Sequence, residues 1–281
     1  MDEPPFVLGP VVPGLVGEVV GYRQTGVEPT VHRGLPSPAL TLILSTAGPV
    51  TGAAEPQQLD AGRPSFRHEA LVAGLHTRPA FIVQPTVQAG IQLGLHPLAS
   101  RQLLGVPAAE LPGLAEDATA FLGEEVERVR QRVAEGASWT EAFAHVRSYL
   151  VARAGRRVPE RPRAEVVAAW DWIARRRGRG SVDALARYVA LSPRQLRTLF
   201  HREVGLGPKA VSGLFRFDHA KRLVATLPDG MTLAEVAQRC GYADQAHLVH
   251  DFRRYTGTTP SGWLAEERRN IQDGAYPDRT G

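Results

Sequence analysis

A single cysteine in 281 residues, Cys240, leaves no disulfide to be closed within the chain and no thiolate-rich zinc site. That scarcity fits a reducing compartment, and the cytoplasm is the expected location. No apolar run approaches the roughly 18 residues a membrane span requires. The opening MDEPPFVLGPVVPG carries acids where a secretion signal carries basic residues. A soluble, unexported protein with no membrane partner is therefore expected. The sequence holds no GxSxG, no P-loop and no HExxH, which removes the commonest routes to hydrolase or nucleotide chemistry.

The chain is long enough for two domains of ordinary size. Its net charge is only +4 but is unevenly spread: residues 1–160 hold 13 basic against 16 acidic residues, and residues 161–270 hold 19 against 11. A basic second half points towards nucleic acid, with a solvated basic face as the plain alternative.

From Val16 to about Pro97, short apolar runs broken by Gly and Pro (VGEVVGY, ALTLILS, ALVAGLH, AFIVQP, AGIQLGLHP) predict strands. The period then changes. ASRQLLG predicts a helical turn, Val126, Val129 and Val133 mark an amphipathic helix, and Ser138 with Glu141 forms a capping-box pattern that opens another helix running to about Ala152. The stretch 154–163, AGRRVPERPR, has two prolines and nothing to bury, so it predicts a linker. Helices are then predicted over 164–177, 182–190, 193–204, 208–225, 232–240, 244–255 and 260–268, followed by a polar tail over 270–281. The fold class expected is α+β: a domain over residues 1–153, β-rich to about 97 and helical over 98–153, and an all-α domain over 164–269.

LARYVALSPRQLRTLF (185–200) and VAQRCGYADQAHLVHDF (236–252) match where two crossed helices require it. Ala186 and Ala237 are the small residues at the crossing, Ala190 and Gly241 stand at the turn, and Leu196/Phe200 and Leu248/Phe252 sit four apart facing a small core. The repeat predicts two helix-turn-helix units joined by the helix PKAVSGLFRFDHAKRLVATL. Ser192-Pro193 with Gln195, Thr232 with Glu235, Gly207-Pro208 and Thr259-Pro260 supply helix starts at the same boundaries. Cys240 then falls on an apolar face as a small core residue; with only His247 and His250 nearby it fits no standard zinc pattern. No metal and no cofactor is expected.

Second helices of such units enter the major groove. The residues expected to face bases are Arg194, Arg197 and Thr198 in the first unit and Gln245, Ala246, His247, Val249 and His250 in the second, with Ser192, Arg202, Arg216, Arg222, Arg253 and Arg254 expected on phosphates. For each Arg the plain alternative is a solvated or ion-paired side chain.

LARYVALSPRQLRTLFHREVGLGPKAV, FRFDHAKRLV and TLAEVAQRCGYADQAHLVHDFRRYTGTTPSGW together resemble the DNA-binding domain of the AraC/XylS family of bacterial transcription regulators. Departures are local: Ala243 replaces the Ser often found there, His247-Leu248 stands where Ser/Tyr-Phe is common, and Val249-His250-Asp251 departs from the usual polar, Arg-rich stripe. The resemblance implies promoter binding with activation or repression, with double-stranded DNA and RNA polymerase as partners and a small-molecule effector commanding the outcome. Residues 1–160 are similar to a cupin-like variant of the family's N-terminal sensing domains. That likeness implies a pocket within the strands, with His32, His68, His76 and His96 as candidate lining residues, and a homodimer through helices in 112–152. Two other functions stand beside the regulator: a cupin-like metal-dependent enzyme fused to a DNA-binding domain, and a nonspecific nucleoid binder.

Overall fold

Strict alternation shapes the first half of the chain. In Leu40–Ser45, Leu40, Leu42 and Leu44 are buried on one side while Thr41, Ile43 and Ser45 line a cavity on the other. The same parity holds in Val87–Leu95, where Ile91, Leu93 and Leu95 enter the core and Gln88 and Gln92 face the cavity. The structure, a computed structural model, describes residues 4–156, 161–227 and 230–270.

Among the described residues, ten strands form two antiparallel sheets. They are β1 (Phe6–Leu8), β2 (Val16–Thr25), β3 (Thr30–Gly34), β4 (Leu40–Ser45), β5 (Val50–Ala53), β6 (Phe66–His68), β7 (Ala70–Ala73), β8 (Ala80–Gln84), β9 (Val87–Leu95) and β10 (Ala115–Asp117). The larger sheet runs β1-β2-β9-β4-β7-β10, and the smaller runs β3-β8-β5-β6. A short helix α1 (Pro56–Asp60) follows β5, and α2 (Ser100–Leu103), α3 (Thr119–Leu122), α4 (Glu125–Glu135) and α5 (Trp139–Arg156) follow β9. Val126, Val129 and Val133 of α4 and Phe143, Val146 and Leu150 of α5 join the leucine face of the larger sheet in one core.

The α+β expectation holds, and the five predicted apolar runs are β2, β4, β7, β8 and β9. Five strands were not legible: β1, β3, β5, β6 and β10 are each five residues or fewer and show little alternation of their own. Strand β10 corrects the reading of 98–153 as wholly helical; it is a sheet edge paired with β7. Helix α5 continues to Arg156, past the expected end near Ala152, because Ala154 is buried and its carbonyl accepts a bond from Gln102 Nε2 at 3.2 Å. The expected linker thus begins inside a helix, while its residues 157–160 and the tail from 271 lie outside the described residues. Ser138 Oγ accepts from the Glu141 N–H at 3.3 Å, but the Glu141 carboxylate accepts from the Ala137 N–H rather than that of Ser138, so the expected box is displaced by one residue.

The remaining helices are α6 (Ala164–Arg175), α7 (Val182–Tyr188), α8 (Pro193–Val204), α9 (Pro208–Ala225), α10 (Leu233–Cys240), α11 (Gln245–Thr256) and α12 (Pro260–Asn270). Helices α8 and α9 have the predicted limits. The apolar core does not divide at the linker. It continues from the larger sheet through Val166, Trp170, Leu185, Leu196 and Phe200 to Val211, and a separate core begins at Leu214 and gathers Phe217, Val236, Leu248, Phe252 and Trp263. The division therefore falls inside α9.

Candidate nucleic-acid interface

Each helix of the paired units starts on a side-chain cap. Ser181 Oγ accepts from the Ala184 N–H at 3.1 Å, and Ser192 and Gln195 close a reciprocal box at 3.2 and 3.0 Å. Thr232 and Glu235 do the same at 3.3 and 2.7 Å. Two of these four caps, Ser181 and Asp244, were missed in the sequence: Asp244 accepts from the His247 N–H at 2.7 Å and fixes the start of α11. Its signal was an Asp three residues before the bonded N–H.

The turns match as well. Ala190 has φ +54° and Gly241 has φ +76°, so both chains pass through the left-handed region between the crossed helices. Behind these turns Leu196, Phe200, Leu248 and Phe252 are fully buried.

This scaffold leaves Arg194, Arg197 and Thr198 exposed along α8, with the Thr198 hydroxyl donating back to the Arg194 carbonyl at 3.1 Å. On α11, Gln245, Ala246, Val249, His250 and Arg253 line one shallow surface depression. His247 is exposed but stands apart from that group. Its ring meets Tyr242 edge-on at 5.1 Å, and its Nδ1 accepts from the Ala243 N–H at 3.5 Å.

The expected phosphate residues divide. Ser192 is a cap, Arg253 belongs to the α11 depression, and Arg254 lies over the Tyr255 ring at 5.4 Å. Arg222 pairs with Asp218 at 2.8 Å and Arg202 with Glu203 at 3.3 Å, both keeping more than half of their side chain exposed. Arg216 stacks over Tyr242 at 5.1 Å with its Nε buried, so its guanidinium packs the second unit instead of standing free on the surface. The sequence reading passed over Arg176, Arg177 and Arg179, all exposed where α6 ends. Arg177 donates to His219 Nε2 at 3.1 Å, and the Arg179 stem lies against Gly241, so these cations sit between the two units; the Arg run in ARRRGRG was their signal.

Cys240 is fully buried, and burial pushes its thiol up to about 11, so the sulfur stays protonated and inert. Among the described residues no group of three or more His, Cys, Asp or Glu is arranged to hold a metal.

The second feature is a cavity of about 280 Å³ between the two sheets. His32 on β3 and His76 line it. His68 instead lies 3.8 Å from Asp117, and His96 caps the Pro97–Ala99 turn and tilts against Trp170 at 5.6 Å, both away from the cavity. His32 is enclosed except on its cavity side, and that burial pushes its imidazole down to about 4; burial lowers His76 as well. Polar residues unnoticed in the sequence, among them Tyr22, Gln24, Gln88 and Gln92, also line it. Their signal was parity, a polar side chain at every second position of an apolar strand.

The joined units define a class: a double helix-turn-helix DNA-binding domain behind a β-rich domain. Residues 185–266 match the family model described as a helix-turn-helix domain. The chain is 30% identical over 92 residues to the arabinose operon regulatory protein of Escherichia coli, covering 33% of this chain and 31% of that one. It is 34% identical over 77 residues to the HTH-type transcriptional regulator GlxA of Rhizobium meliloti, covering 27% and 23%. The matches thus span less than a third of these curated relatives' length. The C-terminal region is thus a helix-turn-helix domain similar to part of the arabinose operon regulatory protein.

Over most of the chain the fold is similar to ToxT from Vibrio cholerae O395, with a TM-score of 0.51 at 10% identity, covering 88% of this chain and 96% of that one. It is equally similar to ToxT of strain SCE256 with an unsaturated fatty acid bound, with a TM-score of 0.51 at 9% identity, covering 94% and 97%. The enzyme alternative draws no support from these comparisons.

Proposed function

We propose that the chain is a sequence-specific transcription regulator that sets α8 and α11 into successive major grooves of duplex DNA under the control of a small molecule held between its sheets. The observation that carries this reading is the pair of side-chain-capped helices α8 and α11, each with an exposed polar stripe and each packed against α9. The 18 residues of α9 span about 27 Å, comparable to the roughly 34 Å turn of B-DNA. Arg194 and Arg197 suit guanine edges, Gln245 suits adenine, and Ala246 and Val249 suit the thymine methyl. Arg177, Arg179, Arg202 and Arg253 would supply the phosphate contacts.

Strand β3 offers the route of control. His32 lines the cavity, the adjacent Arg33 pairs with Glu266 of α12, and Leu35 both lines the cavity and packs against the second unit's core. An occupant that shifts β3 therefore shifts the second reader. The ToxT fold with a bound fatty acid supports small-molecule control of this architecture. RNA polymerase is the natural partner of such a regulator, acting in the cytoplasm as activator or repressor. Pairing of two copies would use the 112–152 stretch and its continuation in α5, where Val151 is 47% exposed; sedimentation showing a monomer at all working concentrations would remove that element.

The test is binding to fragments of the native promoter region. Arg194→Ala or Arg197→Ala should weaken specific binding by about 1–3 kcal/mol each and relax base preference. Equal loss on unrelated DNA would reduce both to phosphate contacts and leave a nonspecific binder.

A further inference from the structure

We infer that the cavity between the sheets takes an uncharged molecule, with an apolar body and a hydroxyl or amide N–H that donates to His76, and that it discriminates against carboxylates, phosphates and ammonium groups. The inference rests on the cavity being the effector site and adds the chemistry of the occupant. Among the described residues that line it there is no Asp, Glu, Lys or Arg. The only lining groups that could become cations near neutral pH are His32 and His76, and burial keeps both neutral. An ionised ligand would surrender its hydration and meet no opposite charge, a loss that hydrogen bonds to neutral groups only partly offset.

What the wall offers is neutral and mixed. Phe66, Ile43 and Ile82 present apolar surface from facing sheets, which suits a ring or short alicyclic body. His76 Nδ1 lies 2.5 Å from the Arg78 carbonyl oxygen, so Nδ1 carries the proton and donates. Its Nε2 is then left as an acceptor, and an acceptor calls for a ligand O–H or N–H. Gln88 Nε2 donates to Gln24 Oε1 across neighbouring strands, so those two amides are held in place by one another. Each retains polar capacity beyond that bond for a ligand carbonyl or hydroxyl. The Tyr22 hydroxyl, bonded to Ser45 and pushed up to about 12, stays a phenol and adds no charge.

Three probes of one shape separate the charges: benzamide, benzoate and benzylammonium, titrated by ligand-observed NMR against the full chain without DNA at pH 7.5. Benzamide should bind at least about tenfold tighter than either ion, and Ile43→Trp, which fills the cavity, should abolish that binding. Gln88→Lys should reverse the order in favour of benzoate, and this second variant does not depend on the tryptophan variant folding. Benzoate or benzylammonium matching benzamide on the unsubstituted chain overturns the inference, as does an absence of Ile43→Trp-sensitive binding by all three. The effect of benzamide on promoter binding is read separately. Binding in the cavity without any change on DNA would defeat the regulatory reading and leave the ligand class standing; preferred benzoate binding with a change on DNA would do the reverse.

Discussion

Ala190 and Gly241 hold the same left-handed turn in two helix pairs built to one plan, yet the pairs are anchored in opposite ways. The first unit shares a continuous apolar core with the larger sheet, and Glu203 of α8, only 5% exposed, takes a bidentate bond from Arg101 of α2 at 3.0 and 3.2 Å. The second unit has its own core and meets the β-rich domain through β3, chiefly by the Arg33–Glu266 pair, whose side chains are 28% and 30% exposed, and by Leu35. A reader fused to the sensing sheet cannot move without disturbing that sheet. One held through a partly exposed ion pair and a single leucine can. Under the proposed function, the difference directs control by an occupant of the cavity onto the second unit, while the first sets the base position on DNA.

The largest expected effect breaks the first anchor. Arg101→Ala removes the bidentate partner of the buried Glu203 carboxylate and leaves it beside Arg202, which should cost about 2–3 kcal/mol in denaturant unfolding. Next comes acid. His32 has its folded pKa near 4, below the 6.5 of an unfolded histidine, so its contribution is present above about 6.5 and is lost as the pH falls towards about 4. Unfolding curves across that window should flatten in His32→Gln relative to the unsubstituted chain; an unchanged slope would show that His32 is not enclosed.

A reciprocal pair of turn substitutions sharpens the likeness between the units. Gly241→Ala forces a left-handed alanine and crowds the flexible Arg179 stem at 2.9 Å, costing about 1–2 kcal/mol. Ala190→Gly relieves the same strain in the first unit and should gain less than about 1 kcal/mol, the backbone entropy of glycine offsetting part of it. The smallest effect on stability belongs to Arg33→Ala, under about 1 kcal/mol. Its signature is faster amide exchange in α10 to α12 with α7 and α8 unchanged; equal acceleration in both units would erase the asymmetry.

Sequence showed most where a feature was local and repeated. The caps at Ser192 and Thr232 bond within four residues, so their spacing alone located the starts of α8 and α10. Leu196/Phe200 and Leu248/Phe252 fixed the buried faces, and removing them left the exposed faces legible by subtraction. The cavity was half visible. His32 and His76 were named for being polar, but so were His68 and His96, because nothing local tells a residue which sheet will close over it. Strand β3 holds its place through a partner 46 to 54 residues away and β6 through one 14 to 18 residues away, and no short window of sequence contains either pairing. Arg216 illustrates the remaining gap. An Arg on a basic helix looks like a surface cation until Tyr242, 26 positions later, is seen beneath it.

Hydroxyl-radical footprinting of the full chain on its promoter most directly tests the claim of two readers held about one helical turn apart. Two protected segments centred about 10 base pairs apart on one face of the duplex are expected. Arg197→Ala should weaken one segment, and a Gln245 and His250 double alanine variant the other. A single protected segment, or two on opposite faces, would contradict the account.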